Sequence, residues 1–466
     1  MELKEAVARF TDVLEKKGMI RVVTHIDTDG LASAAILINA LKKLNQQFWV
    51  ACIKQLEDSF INELYEEAKN KKWKAIFFLD LGSSKIAEIA KFAEHVKTII
   101  LDHHELEEKF IVGKALEDLR HDNFIFVNPL TNHEDSNISA SNVVYRFVKE
   151  LDKKNEELAQ LAVLGMIGDL ADRSLSKTNT AIIEDAKIHG MQSKQGLTIF
   201  STTRALHKAL EFGSYIFIPG VTGSSQGALT FLREIGIEIK DKTRGGYKTL
   251  LDLNKEELSA LITGIMLKQP NQEDKEIIGN IYLLKLFGRL YDAREVSTMV
   301  NACGRLGNAS VALAFLMGSK NAKENVEEIY TEYKHHLMSG LNFVASAQKI
   351  ESEGFIIINA KDCVKDTIIG TIISILSSSS MYSVGTVLIG MAYRDDGKVK
   401  VSARIVHKNV NDINLYKLLD SVVKQTGGEV GGHPNAAGAL ISKTKEKEFT
   451  ELLQKALQVE EIKIKI

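Results

Sequence analysis

Four short segments carry acids and histidines at spacings suited to holding divalent cations: His25-Ile26-Asp27-Thr28-Asp29-Gly30, Leu79-Asp80, Asp102-His103-His104 and Gly168-Asp169. Several aspartates gathered at short range cannot all stay ionised without compensating positive charge, because like charges raise one another's pKa. Divalent cations supply that compensation. The donors are rich in carboxylate, with a minority of imidazole and no thiolate, a set that suits manganese or magnesium better than a closed structural zinc site. Two such cations about 3.5–4 Å apart stabilise both the attacking and the leaving oxygen of an in-line displacement, which is the chemistry to expect of a two-metal site.

Those side chains need elements that carry them to one rim, and parallel α/β sheets place their ligand sites outside the carboxyl ends of strands. Each segment follows an apolar run. Met19 to Thr24 leads into the first, Ala75 to Phe78 into the second and Thr98 to Leu101 into the third, all reading as buried strands; the run before the fourth, Leu161 to Ile167, reads as helix or strand. Between them, Gly30 to Leu44 has the apolar density of a helix, and Phe48-Trp49-Val50-Ala51 reads as a strand. A charged helix over about 58–70 and a helix over 83–95 complete a β-α-β rhythm from residue 19 to about 170, the pattern of a doubly wound sheet. From about 180 to 300 the pattern is mostly helical, with turns at Phe217-Ile218-Pro219-Gly220 and Lys268-Gln269-Pro270-Asn271. Asn321 to Ile350 holds no proline and one glycine, Gly340, and reads as a long helix. Beyond it, strand-like runs at 355–358, 386–389 and 399–402 alternate with helices at about 366–377 and 413–425. The expected architecture is therefore α/β in two domains: a first domain over 1–318 with a helical extension at about 180–300, a connecting helix over 319–350, and a smaller α/β domain over 351–466.

Composition agrees with a globular protein. At 466 residues the chain exceeds one ordinary domain, with 45% apolar and 26% charged residues. Cys52, Cys303 and Cys363 are far apart and in no Cys-x-x-Cys arrangement, which argues against disulfides and zinc knuckles. The amino terminus lacks the form of a signal peptide and no apolar run approaches the ~18 residues of a membrane span, so a cytoplasmic protein without a membrane partner is expected. A net charge of -2 excludes a histone-like polycation, and any nucleic acid must be held by a local basic groove.

His25-x-Asp27-x-Asp29-Gly30 and Asp102-His103-His104 together resemble the motifs of the DHH phosphoesterase superfamily. The resemblance implies that His25 and Asp27 bind one metal, that Asp29 and His103 bind the other, and that Asp80 bridges both. It also makes Asp169, in Gly165-Met166-Ile167-Gly168-Asp169, the fourth-motif ligand, with Asp172 as the second choice. Asp102 would orient a histidine from behind, since metal-bound imidazoles donate their other N–H to an acceptor, and His104 would face the substrate phosphate or donate a proton. Two divalent cations follow, manganese first and magnesium second.

Gly427 to Gly438 is similar to the Gly-Gly-His-x-x-Ala-Ala-Gly signature of the DHHA1 domain that accompanies DHH domains in nucleic-acid hydrolases. Gly431 and Gly432 would admit a phosphate close to backbone amides, with a small-residue helix start after them favouring the anion, and His433 would add a hydrogen bond or charge. Ser402-Ala403-Arg404 resembles the strand-borne Ser-x-Arg of that domain, where Arg404 grips a phosphate with its planar fork beside Ser402. Asn301-Ala302-Cys303-Gly304-Arg305 resembles the Asn-Ala-x-Gly-Arg segment of RecJ-type exonucleases, where Gly304 and Arg305 would bring backbone and guanidinium to a phosphodiester and Asn301 would be a further substrate contact. The segments Arg204 to Leu210 and Ile218 to Gly223 are similar to those of archaeal RecJ-like proteins. Ser136 to Ser141 carries hydroxyls that either reach phosphate or cap a helix. Trp49 and Trp73 read as core or strand-edge residues, and Lys69 to Lys72 as a solvated loop.

Three functional readings compete. The first is a RecJ-like, metal-dependent exonuclease on single-stranded DNA, with RNA as a further substrate, in DNA replication, recombination or repair. The second is a phosphodiesterase of short oligonucleotides (nanoRNA) or cyclic dinucleotides. The third is a Cdc45-like replication scaffold binding GINS, against which the intact ligand set speaks; GINS or a repair helicase is also the protein partner that the first reading implies.

Overall fold

The computed structural model describes residues 1–106, 110, 119, 121–132, 137–199, 201–213, 216–241, 245–269, 278–407 and 413–465. The chain forms two compact units, Met1–Gly196 with Gly279–Tyr330, and Leu197–Ile278 with Thr331–Ile466. Among the described residues no helix is long and apolar enough to cross a membrane.

The first unit is built on β1 (Met19–His25), β2 (Phe48–Ile53), β3 (Trp73–Leu79), β4 (Lys97–Leu101) and β5 (Phe124–Val127), a parallel sheet of order β2-β1-β3-β4-β5. Every residue of β3 and β4 is buried, as expected when helices cover both faces of a parallel sheet. The strand order reverses beside β1, which has β2 on one flank and β3 on the other, and such switch points are where open α/β sheets bind ligands. The helix Thr28–Lys43 is buried continuously from Thr28 to Ile38, because its apolar residues occupy all faces rather than one stripe. The helices Ala140–Leu151 and Ala159–Gly168 pack with it.

The run before Asp169 is thus a helix, Ala159–Gly168, and only three of the four candidate segments follow strands. Its small residues Ala159, Ala162 and Gly165 allow close helix packing, and none of that shows in a count of apolar residues. The expected helix over 83–95 is broken into a short α-helix, Ile86–Ala90, between two 3-10 turns. Within the span expected to be mostly helical, β6 (Gln192–Leu197), β7 (Ile278–Leu286) and β8 (Arg289–Asp292) form a three-stranded sheet. Pro270, Asn271 and Ser136 lie outside the described residues. Trp49 is 53% exposed on the edge strand β2, whereas Trp73 is buried.

In the second unit the helices Leu206–Glu211, Ser225–Glu234 and Lys255–Lys268 share a core of Leu206, Leu210, Phe231, Leu232, Leu261 and Ile265. The helix Lys320–Ser346 contains the residues at which the chain passes from the first unit into the second. After it come β9 (Ile350–Glu351), β10 (Phe355–Asn359), β11 (Val387–Tyr393), β12 (Lys398–Ile405), β13 (Glu429–His433) and β14 (Ala436–Ser442), in the order β13-β14-β12-β11-β10-β9. β10 and β11 are parallel and the other pairs antiparallel. The small residues after His433 therefore open a strand, not the helix expected from composition: Ala436 to Ile441 alternates half-buried and buried positions between β12 and β13.

Candidate metal centre

β1 delivers His25 to the rim, and the chain turns at once into the helix Thr28–Lys43 with Asp27 as its N-cap. Asp27 Oδ1 accepts the Gly30 N–H at 3.0 Å, while its Oδ2 lies 2.9 Å from His25 Nδ1. Asp29, in the first turn, is fully buried and accepts the N–H groups of Ala140 (2.7 Å) and Ser141 (3.0 Å), the first residues of the helix Ala140–Leu151. A carboxylate placed there satisfies amides that have no intrahelical partner and meets the positive end of the helix dipole. Asp29, and no serine hydroxyl, thus caps that helix: Ser139 stands at the N-cap without a side-chain bond to it.

Asp80 follows β3 directly in a left-handed conformation (φ 56°), which costs a residue with a β-carbon about 1 kcal/mol and persists where the surroundings hold it. Its two carboxylate oxygens divide between two donor sets. Oδ2 lies 3.5 Å from His25 Nδ1, on the side of Asp27; Oδ1 lies 3.3 Å from His103 Nε2, which is 3.1 Å from Asp169 Oδ2 and 3.9 Å from Asp29 Oδ2. In each of the trios His25, Asp27, Asp80 and Asp29, His103, Asp169, the ligand atoms all fall within 4.8 Å of one another. His103 Nε2 is buried and makes no hydrogen bond despite the carboxylates around it, an unsatisfied donor set that a cation would answer. The residues present therefore suit divalent cations, which His25, Asp27 and Asp80 would hold in one set and Asp29, Asp80, His103 and Asp169 in the other.

Asp102 holds the other histidine. It accepts from His104 Nδ1 (2.7 Å), from the N–H of His103 (2.8 Å) and from the N–H of Ser83 (2.9 Å). His104, with half its side chain exposed, is anchored further by Asn128, which donates to its carbonyl at 2.9 Å. Burial works against the charged imidazole of His104, but the Asp102 carboxylate outweighs it and raises the group to about 9. Burial likewise opposes charge on His25 and His103, and the carboxylates facing them raise the two to about 11 and about 12. Burial, then neighbouring acids, push Asp29, Asp80 and Asp169 up to about 6. Asp27 and Asp102 go the other way: against burial, the histidines bonded to them hold both carboxyls well below the usual range.

Asp172, the second choice at the fourth motif, is engaged elsewhere, in a buried ion pair with Arg294. Asn301 lies on the helix Ala293–Arg305 with its Oδ1 accepting the Thr28 N–H at 2.9 Å; Arg305 is that helix's last residue. Ser402, Arg404, Gly431, Gly432 and His433 belong to the second unit, where strand register aligns them: Ser402 pairs with Gly438 and Gly438 with Gly431, while Arg404 pairs with Ala436 and Ala436 with His433. With a side-chain period of two, Ser402, Arg404 and His433 share one sheet face. Arg404 is steadied by Nε donating to Ser374 Oγ at 3.0 Å, and Gly431, Gly432 and His433 are exposed.

Residues that motif spacing does not reveal complete the support: the Ala140 and Ser141 amides, Ser83, Asn128 and the Asp172–Arg294 pair. One signal was present in the sequence, Gly165 within an apolar helix. A β-carbon there would stand 2.4 Å from Asp29 Oδ1 and 2.1 Å from Ser141 Oγ.

Comparison with known proteins follows the same division of the chain. The DHH family's N-terminal domain matches residues 19–168, the DHHA1 domain residues 353–459 and the DHH-CID domain residues 200–275. An uncharacterised protein of Methanocaldococcus jannaschii is 30% identical over 466 residues, 96% of each chain. The single-stranded-DNA-specific exonuclease RecJ of Bacillus subtilis is 24% identical over 176 residues, 36% of this chain and 21% of that protein. In fold, the chain is similar to manganese-bound RecJ of Thermus thermophilus (TM-score 0.59, 18% identity, 98% of this chain and 54% of that one). It is also similar to CDC45 of Entamoeba histolytica (TM-score 0.65, 11% identity, 97% of each). The chain thus spans about half the length of the Thermus RecJ and about a fifth of the Bacillus one. Members of the DHH family are phosphoesterases. With its N-terminal domain matched through every candidate metal motif but the last residue, Asp169, and with a relative 30% identical along almost its whole length, this chain belongs to the DHH family.

Proposed function

We propose that the protein is a divalent-cation-dependent exonuclease of the RecJ kind, hydrolysing phosphodiester bonds of single-stranded DNA and of RNA. The observation that carries this reading is the division of Asp80 between the His25–Asp27 and His103–Asp169 sets. The metal ligands would be His25, Asp27 and Asp80 on one side and Asp29, Asp80, His103 and Asp169 on the other, with manganese the preferred ion and magnesium the second; the RecJ of Thermus thermophilus is known with either bound. When bound, two such ions neutralise the phosphate and stabilise the attacking and leaving oxygens of an in-line displacement.

The chain's own residues do the rest. Asp102 holds His104 Nδ1–H, which leaves Nε2 as the atom that gives a proton to a phosphate or leaving oxygen. Arg404, Ser402 and His433 would grip phosphate from their shared sheet face while Gly431 and Gly432 let the backbone approach, and Arg305, in the first unit, would be a separate phosphate contact. Phosphate contacts carry little base information, so sequence preference should be weak. Over 36% of its length this chain is similar to the single-stranded-DNA-specific exonuclease RecJ of Bacillus subtilis, which favours that substrate over cyclic dinucleotides.

The test is degradation of single-stranded DNA and RNA, labelled separately at the 5′ and 3′ ends, with manganese, magnesium or EDTA, for wild type and Asp80→Ala. Metal-dependent mononucleotide release, abolished in Asp80→Ala, is expected. Turnover confined to di- to pentanucleotides would replace the exonuclease by a short-oligonucleotide enzyme. No turnover of any substrate would favour the Cdc45-like scaffold, whose fold this chain shares.

A further inference from the structure

The helix Ala293–Arg305 presents Arg294, Ser297, Asn301 and Gly304 at spacings of three, four and three, which is one face of an α-helix. Each makes a contact on a loop that carries candidate metal ligands. The Arg294 guanidinium pairs with Asp172, three residues beyond Asp169, and also donates to the Asn280 carbonyl at 3.0 Å. Ser297 accepts the Thr28 hydroxyl on its carbonyl at 2.9 Å and donates its own hydroxyl to Thr28 Oγ1 at 3.1 Å. Asn301 Oδ1 accepts the Thr28 N–H at 2.9 Å. Gly304 lies so close to the first loop that a β-carbon there would stand 2.2 Å from the Ile26 carbonyl oxygen.

We propose that this helix is a brace for the metal-binding loops and that Asn301 is a positioning residue, fixing the His25–Asp29 loop through Thr28 instead of contacting the substrate. Thr28 is fully buried, and its N–H belongs to the first turn of a helix, where no backbone acceptor is available. Its sequence neighbours are Asp27 and Asp29, one on each side of the two-cation site. Anchoring Thr28 from behind therefore sets where both carboxylates stand, while Arg294 does the same for the Asp169 loop from the other end of the helix. The acceptor oxygen of Asn301 is consumed in this role, whereas a contact to phosphate would have to use its Nδ2 donor.

This inference rests on the two-cation reading above, and the experiment separates the two. Manganese binding to the full chain is measured by the electron paramagnetic resonance of free Mn²⁺ for wild type, Asp80→Ala, Asn301→Leu and Asn301→Asp, with turnover of single-stranded DNA followed in parallel. Asn301→Leu leaves the Thr28 N–H without an acceptor and is expected to weaken manganese binding about tenfold, the weight of one unsatisfied buried donor. Asn301→Asp keeps the acceptor and removes the donor, so it should bind manganese within about threefold of wild type, and raising manganese should restore kcat in the leucine variant without a change in KM. Wild-type manganese affinity in the leucine variant overturns the brace, as does an aspartate variant as weak as the leucine one. If the leucine variant does not fold, the aspartate variant decides: retained affinity supports positioning, lost affinity overturns it. Failure of wild type to bind manganese, with no difference in Asp80→Ala, would instead remove the two-cation reading itself.

Discussion

Around the candidate cations, each aspartate is held by something different, and that difference is measurable. Asp80 is left-handed, a conformation asparagine tolerates better than alanine, so Asp80→Asn and Asp80→Ala should both abolish metal-dependent activity while Asp80→Asn unfolds about 1 kcal/mol later in urea. Asp29 has Gly165 against it, and Gly165→Ala should destabilise the fold by about 1–3 kcal/mol and weaken manganese binding together, both readable on one purified variant. The pH response follows from the raised groups. Asp29, Asp80 and Asp169 at about 6, His25 at about 11 and His103 at about 12 all lie above their unfolded values. Each contributes stability that is complete below its unfolded pKa and lost as pH climbs through the folded one, from about pH 4 for the carboxyls and about pH 6.5 for the imidazoles. Asp27 and Asp102 are depressed and lose their contribution only as pH falls below about 4. The metal-free protein should therefore melt at lower temperature as pH rises from about 5 to 8, and the gain in melting temperature on adding manganese should grow over that range, because the cation replaces the protons. A manganese-induced shift that stays flat with pH would contradict this. The residues themselves were legible in the sequence because motif spacing records chemistry directly, and so was Asp102 acting on a histidine; that the histidine is His104, and that Asp29 caps a helix 111 residues away, were not, since these depend on side-chain rotamers or on contacts between segments remote in sequence.

At the scale of elements, the three strands that end at His25, Asp80 and Asp102 could be read directly, because strands buried on both faces spell out continuous apolar runs. The same property hid the helix Ala159–Gly168, whose residues are apolar on all sides and leave no 3.6-residue stripe to separate it from a strand. The glycine-rich segment misled for a related reason: small residues after His433 suit a helix start as well as a strand squeezed between two neighbours, and the register with β12 and β13 decides in favour of the strand. The helix Ala293–Arg305 supplies an element-level prediction. Gly304→Ala forces a β-carbon into the Ile26 carbonyl and should shift the helix away from the first loop, costing about 1–3 kcal/mol and lowering metal affinity, whereas alanine at the unconfined Gly307, which has no neighbour within 4 Å but a φ of 79°, should cost stability through its backbone alone and leave metal affinity unchanged.

For the whole molecule, the two-unit division matters more than the count of domains. Family resemblance covers both units, and the second carries the row of Ser402, Arg404 and His433 on one face of a sheet of its own. If those residues hold the nucleic acid, Arg404→Ala should raise KM for single-stranded DNA about tenfold or more, the weight of a charge-assisted phosphate contact, while leaving manganese affinity at the wild-type value. A pull-down with purified GINS separates an added scaffold role from catalysis, since Asp80→Ala should retain any such complex. The unit with the candidate metal ligands is discontinuous in sequence: the last candidate ligand is Asp169, but the helix Ala293–Arg305 comes after residues 197–278, which belong to the other unit. A ribosome making this chain therefore releases every candidate ligand long before it releases the helix Ala293–Arg305 that packs on their loops. If that helix is the brace proposed above, the nascent site can gather its acids and histidines early but reaches its final geometry only after residues 293–305 have emerged, and cation loading would then be set late in synthesis.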